Sequence, residues 1–176
     1  PRNSSSAASD VYKRQAADGT QVSTIRSDYY RRCVALSGDG KRLVANTLSD
    51  EDHGEVIVWD VQTEPATQLM RMSGGHENNI VDSVAFSSDG SRVASGGTDG
   101  KVVVWDVASG NPVQIIQTEY AIHYWPRHHC VTFLGNTNDI CYVEDDCVHV
   151  WRETDGFDVF ATAATSSDAK RPRTTD

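Results

Sequence analysis

Three tryptophans, Trp59, Trp105 and Trp151, stand 46 residues apart. A constant interval of that size means that the chain repeats one supersecondary unit, which must bury its apolar surface against its own neighbours. The positions inside the interval repeat as well. Cys33, Ser83 and Cys130 occupy one repeat position, and Val34, Val84 and Val131 follow them. The segment Asp39-Gly40-Lys41-Arg42-Leu43-Val44-Ala45 precedes Asp89-Gly90-Ser91-Arg92-Val93-Ala94-Ser95 by 50 residues, so the first copy carries a four-residue insertion relative to the 46-residue interval. It falls at Leu48 to Gly54, where the second copy has only Thr98-Asp99-Gly100.

Within the second copy, Val84 to Phe86, Arg92 to Ser95 and Val102 to Val104 are short β-rich runs separated by Asp89-Gly90 and Asp99-Gly100. Asp-Gly between such runs is a strong hairpin signal, on the reasoning that both central residues of a tight hairpin turn need positive φ. A three-strand meander follows. Val56-Ile57-Val58 and Val102-Val103-Val104 are apolar at consecutive positions, hence apolar on both faces, as expected of a sheet packed between two others.

Gly75-His76, the Ser87-to-Gly90 turn, Ala94-Ser95-Gly96, Asp99 and Trp105-Asp106 resemble the WD40 repeat family, with all five elements in family order. The resemblance implies an all-β fold: a partial WD40 β-propeller of three four-stranded antiparallel blades plus one orphan strand. The outer fourth strands would be Ala66 to Met72, Pro112 to Gln117 and Phe157 to Thr162, with Gly19 to Ile25 left over from a preceding repeat. The expected division is 1–15 outside the fold, 16–28 the orphan strand, 29–73, 74–120 and 121–163 the three repeats, and 164–176 a flexible tail. Propellers hold roughly four to eight blades, so three leave the ring open. The chain is therefore expected to be a piece of a longer propeller, or to close its end faces by assembly of copies.

Residues Ser5 to Gln15 (SSAASDVYKRQ) resemble a translated sequencing adapter and are expected to be disordered and without function, with the natural N-terminus missing. A formal charge of -9 argues against nucleic-acid binding through a basic surface. No apolar run approaches the ~18 residues of a membrane span and no secretory signal opens the chain. The expected setting is intracellular, cytoplasmic rather than nuclear. The tail motif Lys170-Arg171-Pro172-Arg173 only weakly resembles an import signal. Four cysteines, Cys33, Cys130, Cys141 and Cys147, show no CxxC spacing, and the expectation is buried, reduced thiols.

A serine, a histidine and an aspartate within one repeat (Ser95, His76, Asp99) invite a hydrolase reading, but no nucleophile-elbow pattern surrounds Ser95. The resemblance implies a structural network instead: Trp105 indole to Ser95 hydroxyl, hydroxyl to His76, imidazole to Asp99. The third repeat would keep His123, Asp145 and Trp151, with Tyr142 in the serine position. The first would retain only Trp59, with Arg26, Ala45 and His53 at the partner positions. The stretch Ile122 to Cys130 is rich in His, Tyr, Trp and Arg; its spacings match no usual metal pattern, so no metal and no cofactor is expected. It reads better as a contact surface.

The acidic insertion with Asp50, Glu51 and Asp52 reads first as a solvated loop and second as a landing site for a basic peptide. By family position, Asn79, Asp82, Thr98, Arg127 and His129 are the candidate partner-contacting residues. The expected function is a non-catalytic scaffold that binds other proteins or peptides, with no nucleic acid and no membrane. The alternative is a regulatory propeller of a multidomain enzyme or NTPase.

Overall fold

The computed structural model describes residues 11–14, 21–25, 33–48, 53–76, 79–118, 130–144, 147–153 and 158–159. The regular elements among them are all strands: β1 (Val11–Arg14), β2 (Gln21–Ile25), β3 (Val34–Leu36), β4 (Arg42–Leu48), β5 (His53–Asp60), β6 (Thr67–Met72), β7 (Val81–Phe86), β8 (Arg92–Gly97), β9 (Lys101–Asp106), β10 (Pro112–Gln117), β11 (Val131–Phe133), β12 (Ile140–Glu144), β13 (Cys147–Trp151) and β14 (Asp158–Val159). They form three four-stranded antiparallel meanders, β3–β6, β7–β10 and β11–β14, and one two-stranded ribbon, β1–β2. This is the architecture of a partial β-propeller.

The core lies between sheets, and the valine runs explain why. In β9, Val103 joins Val44, Val56, Val58 and Met72 of the first sheet, while Val102 and Val104 join Val131, Phe133, Ile140 and Trp151 of the third. Because strand side chains alternate between faces, a continuous apolar run supplies both interfaces of a middle sheet. A third cluster packs Ile25 of β2 against Leu43, Ala45, Ile57 and Trp59. The pairings Leu43↔Trp59, Val93↔Trp105 and Ile140↔Trp151 put all three tryptophans at one register position.

The hairpin turn differs from the expectation in one respect. The amide of Gly90 donates to the Ser87 carbonyl at 2.9 Å, so Ser88 and Asp89 are the central residues and Gly90 follows them at φ 67°. This is a four-residue turn closed by one left-handed glycine, not a two-residue turn with Asp-Gly at its centre. Its Asp89 carboxylate accepts from the Ser87 hydroxyl at 2.7 Å and the Ser91 amide at 2.9 Å. The Ser37–Asp39 turn of the first sheet repeats the arrangement.

Two further expectations are corrected. Val11–Arg14 lies in the stretch set aside as disordered, yet it pairs antiparallel with β2, so β2 is not an orphan. A strand with two bare edges has backbone groups to satisfy, and a β-rich VYKR segment supplies the partner. Cys130 is exposed and Cys33 only partly buried, because each stands one residue before its strand at the sheet's inner edge. Of the expected outer strand Phe157 to Thr162, Asp158–Val159 pairs with β13, and its other residues lie outside the described residues. Residues 49–52 of the insertion lie outside the described residues, and its flanks lengthen β4 and β5.

The third sheet also reverses a charge pair. Arg42 stands opposite Asp60 and Arg92 opposite Asp106 in the first two sheets. The third sheet's ladder ends at the Ile140–Trp151 pair, and the residues flanking that pair in sequence, Asp139 and Arg152, carry the opposite signs.

Candidate functional site

His76 sits in the turn before β7, Ser95 on β8, Asp99 in the β8–β9 turn and Trp105 on β9, and the sheet brings all four side chains together. The Trp105 indole N–H donates to Ser95 Oγ at 2.8 Å, His76 Nε2 lies 2.7 Å from that oxygen, and His76 Nδ1 lies 3.0 Å from Asp99 Oδ1. The neutral tautomer with its proton on Nδ1 satisfies every atom: Nδ1–H donates to the carboxylate and Nε2 accepts the Ser95 hydroxyl proton. The other acceptor near that hydroxyl, the Val103 carbonyl, is 3.5 Å away and a poor competitor. His76 and Ser95 have no solvent exposure, so the hydroxyl faces no substrate.

Glycines make room for this arrangement. A Cβ at Gly97 would stand 2.5 Å from His76 Nδ1 and 2.8 Å from Asp99 Oδ1, closer than any side chain tolerates. Asp99 also accepts the Lys101 amide at 3.1 Å, which holds the turn under the imidazole.

In the first and third sheets the same register position holds other groups. Ala45 faces Ile57, and Tyr142 is stacked on His149 with ring centres 5.0 Å apart. Trp59 and Trp151 are buried there. His123, Asp145, Arg127, His129, Asp50, Glu51 and Asp52 lie outside the described residues.

Asn79, Thr98 and Asp82 gather at the end of the second sheet that carries His76 and Asp99. The Asn79 amide donates to the His76 carbonyl at 2.7 Å, and Thr98 clamps Ile80 through its amide (2.8 Å) and its hydroxyl (3.2 Å). Asp82 leads from this rim toward the first sheet, where the Cys33 amide donates to Asn46 Oδ1 at 3.1 Å. Burial pushes the Cys33 thiol up to about 12; the bond to Asn46 opposes the shift and the nearby Asp82 charge adds to it. That thiol is no nucleophile at neutral pH. Sequence reading missed the Cys33–Asn46 pair; its only signal was a polar Asn46 ending the apolar run Leu43 to Ala45. Among the described residues no cluster of three His, Cys, Asp or Glu side chains is placed to hold a metal ion.

Comparison with known proteins agrees with this geometry. Residues 67–106 match the family model described as WD domain, G-beta repeat. The chain is 38% identical over 77 residues to the Periodic tryptophan protein 2 homolog of Schizosaccharomyces pombe, covering 44% of this chain and 8% of that protein. It is 35% identical over 96 residues to the Small ribosomal subunit protein RACK1y of Oryza sativa subsp. japonica, covering 54% and 26%. It thus spans about a quarter or less of these relatives. Among solved structures, the RRP9 WD40 repeats superpose with a TM-score of 0.59 at 19% identity, over 76% of this chain and 38% of that one. The Cps50 (Swd1) β-propeller domain of Myceliophteria thermophila gives 0.60 at 18%, over 77% and 39%.

Proposed function

This chain is a partial WD40 β-propeller, and from that premise we propose that it works as a non-catalytic platform holding rim loops in fixed relation for binding other proteins or peptides. The observation that carries the reading is the fate of the serine–histidine–aspartate set of Ser95, His76 and Asp99. Its hydroxyl is sealed inside the sheet and accepts the Trp105 indole N–H, so the chemistry is spent on fixing the turn that presents Asn79 and Thr98. Rigid sheets with variable loops build specificity by position rather than by reaction.

In this reading Asn79, Asp82 and Thr98 contact the partner, joined by Arg127 and His129 and by the acidic loop of Asp50, Glu51 and Asp52. The end faces of the first and third sheets are covered by further blades or by another copy of the chain. The setting is intracellular, consistent with relatives named for the small ribosomal subunit and for cilia and flagella. A photo-crosslinking residue at Thr98 and another at Ser88, on the opposite rim, test the platform in cells. Protein adducts at position 98 and few at 88 are expected. Equal labelling at both, or turnover of an ester or nucleotide lost on Ser95→Ala without loss of folding, would end the proposal.

A further inference from the structure

The boundaries between successive sheets are built alike, and one differs from the other where the outer strand crosses. At the first boundary, Met70 pairs with Val58, follows a strand irregularity at Leu69, and packs with Val107 against the shared core. Its sulfur lies so close to Gly110 that a Cβ there would approach it to 2.6 Å. At the second boundary the matching irregularity is at Val113, and Gln114 pairs with Val104. Val58 and Val104 each immediately precede the repeat tryptophan, so Gln114 occupies the place of Met70. Two residues beyond the repeat tryptophans, Glu153 likewise stands where Val107 does.

Two apolar side chains have thus become polar at one spot. What remains is a groove of about 140 Å³ lined by Arg92, Val104, Val113, Gln114, Trp151 and Glu153. Trp151 and Val104 are the buried members of that lining. Arg92 is bound to Glu153 at 2.7 Å, and Asn138 donates to the other Glu153 oxygen at 2.7 Å. Asp106 lies across the strand pair from Arg92 with its carboxylate bound by the Ser109 amide and hydroxyl, so this rim carries two carboxylates and one guanidinium, on a chain whose net charge is -9.

We propose that this groove seats an extended segment of a partner protein that inserts one unbranched apolar side chain over Trp151 and places a basic residue beside Glu153. The apolar side chain restores the volume that Met70 fills at the first boundary, since an apolar hollow loses contacts on its empty side. The flexible, unbranched thioether suits such a gap. The basic neighbour answers the excess of carboxylate, and it contributes mainly to steering and orientation. This rests on the platform reading and names a partner chemistry for it, but at the rim remote from Thr98, so the two can fail separately.

The probe is a capped peptide with the sequence of residues 66–73 (ATQLMRMS), which carries the Met70 side chain beside a basic Arg71. It is titrated into the full chain while the Trp151 indole N–H resonance, assigned by its loss in Trp151→Phe, is followed. A saturable shift is expected, at least tenfold weaker when the peptide carries Gln for Met70 or when the protein carries Gln114→Met, which fills the groove from within. Glu153→Val, retaining a folded spectrum, should weaken binding of the Arg-containing peptide more than that of a peptide with Glu for Arg71. The proposal is overturned if Gln114→Met binds the peptide as well as the parent does. It is also overturned if a folded chain shows no saturable shift at millimolar peptide, or if the resonance still moves with protein concentration alone in the Val143→Lys, Val148→Glu variant, which would assign the groove to a second copy.

Discussion

Ser95 is the residue on which the middle sheet's polar chain turns, because it accepts from Trp105 and hydrogen-bonds His76 through one oxygen. Removing it strands a buried indole N–H and a buried imidazole nitrogen, and each unmade bond to a buried group costs about 1–3 kcal/mol. Ser95→Ala should therefore lower the midpoint of thermal unfolding by several degrees, and Trp105→Phe in that background should cost less than it does alone, since part of the coupling is already lost. Equal costs in both backgrounds, measured by chemical denaturation, would show that the hydrogen bonds are not coupled. Ala45 in the first sheet shows the alternative: an apolar residue at the serine's place, facing Ile57.

At the scale of the element, the Ser–x–Asp–Gly turns carry a pH dependence. Bonds from the Ser91 amide and the Ser87 and Ser91 hydroxyls hold the Asp89 carboxyl down to about 2, and Asp39 is lowered chiefly by its bond from Ser37. A carboxylate whose pKa is lower folded than unfolded stabilises the fold while ionised, so its contribution is complete above the ordinary value near 4 and disappears as pH falls toward 2. The unfolding midpoint should drop across that window, and Asp89→Asn should flatten part of the drop; an unchanged slope in the variant would refute the assignment. These turns also show what was legible in advance. Asp-Gly marked the hairpins at the right residues because glycine is needed once φ turns positive. The exact turn was not legible, since a Ser–Asp hydrogen bond competes with the two-residue alternative and only geometry shows which wins. Outer strands read well where a six-residue β-rich run is bounded by turn residues, as Pro112–Gln117 is, even though all of it but Ile116 is exposed. The pairing of Val11–Arg14 did not, because its signal is the partner it finds rather than its own pattern.

For the whole molecule, the arc ends on apolar residues. Val34 and Leu36 of β3 are half exposed, and Val143 and Val148 face solvent on the third sheet. Sheets built with two sticky faces associate when one is left uncovered. The chain expressed alone should sediment as concentration-dependent oligomers, and the double variant Val143→Lys with Val148→Glu should shift it toward monomer. A monodisperse monomer with a sharp melting transition from the unaltered chain would contradict this. The repeat interval made the three-sheet order legible, but the groove beside Trp151 was not, because it arises from the difference between Gln114 and Met70 and not from any motif.

The swapped pair of Asp139 and Arg152 has a consequence for how such a wheel can be assembled. In the second sheet the residue at that place, Arg92, reaches forward to Glu153 of its successor. A duplicate of the third sheet placed after the original would set Asp139 toward another glutamate, anion against anion. The third wedge is thus not a tile interchangeable with the second: it projects the opposite sign toward whatever comes next.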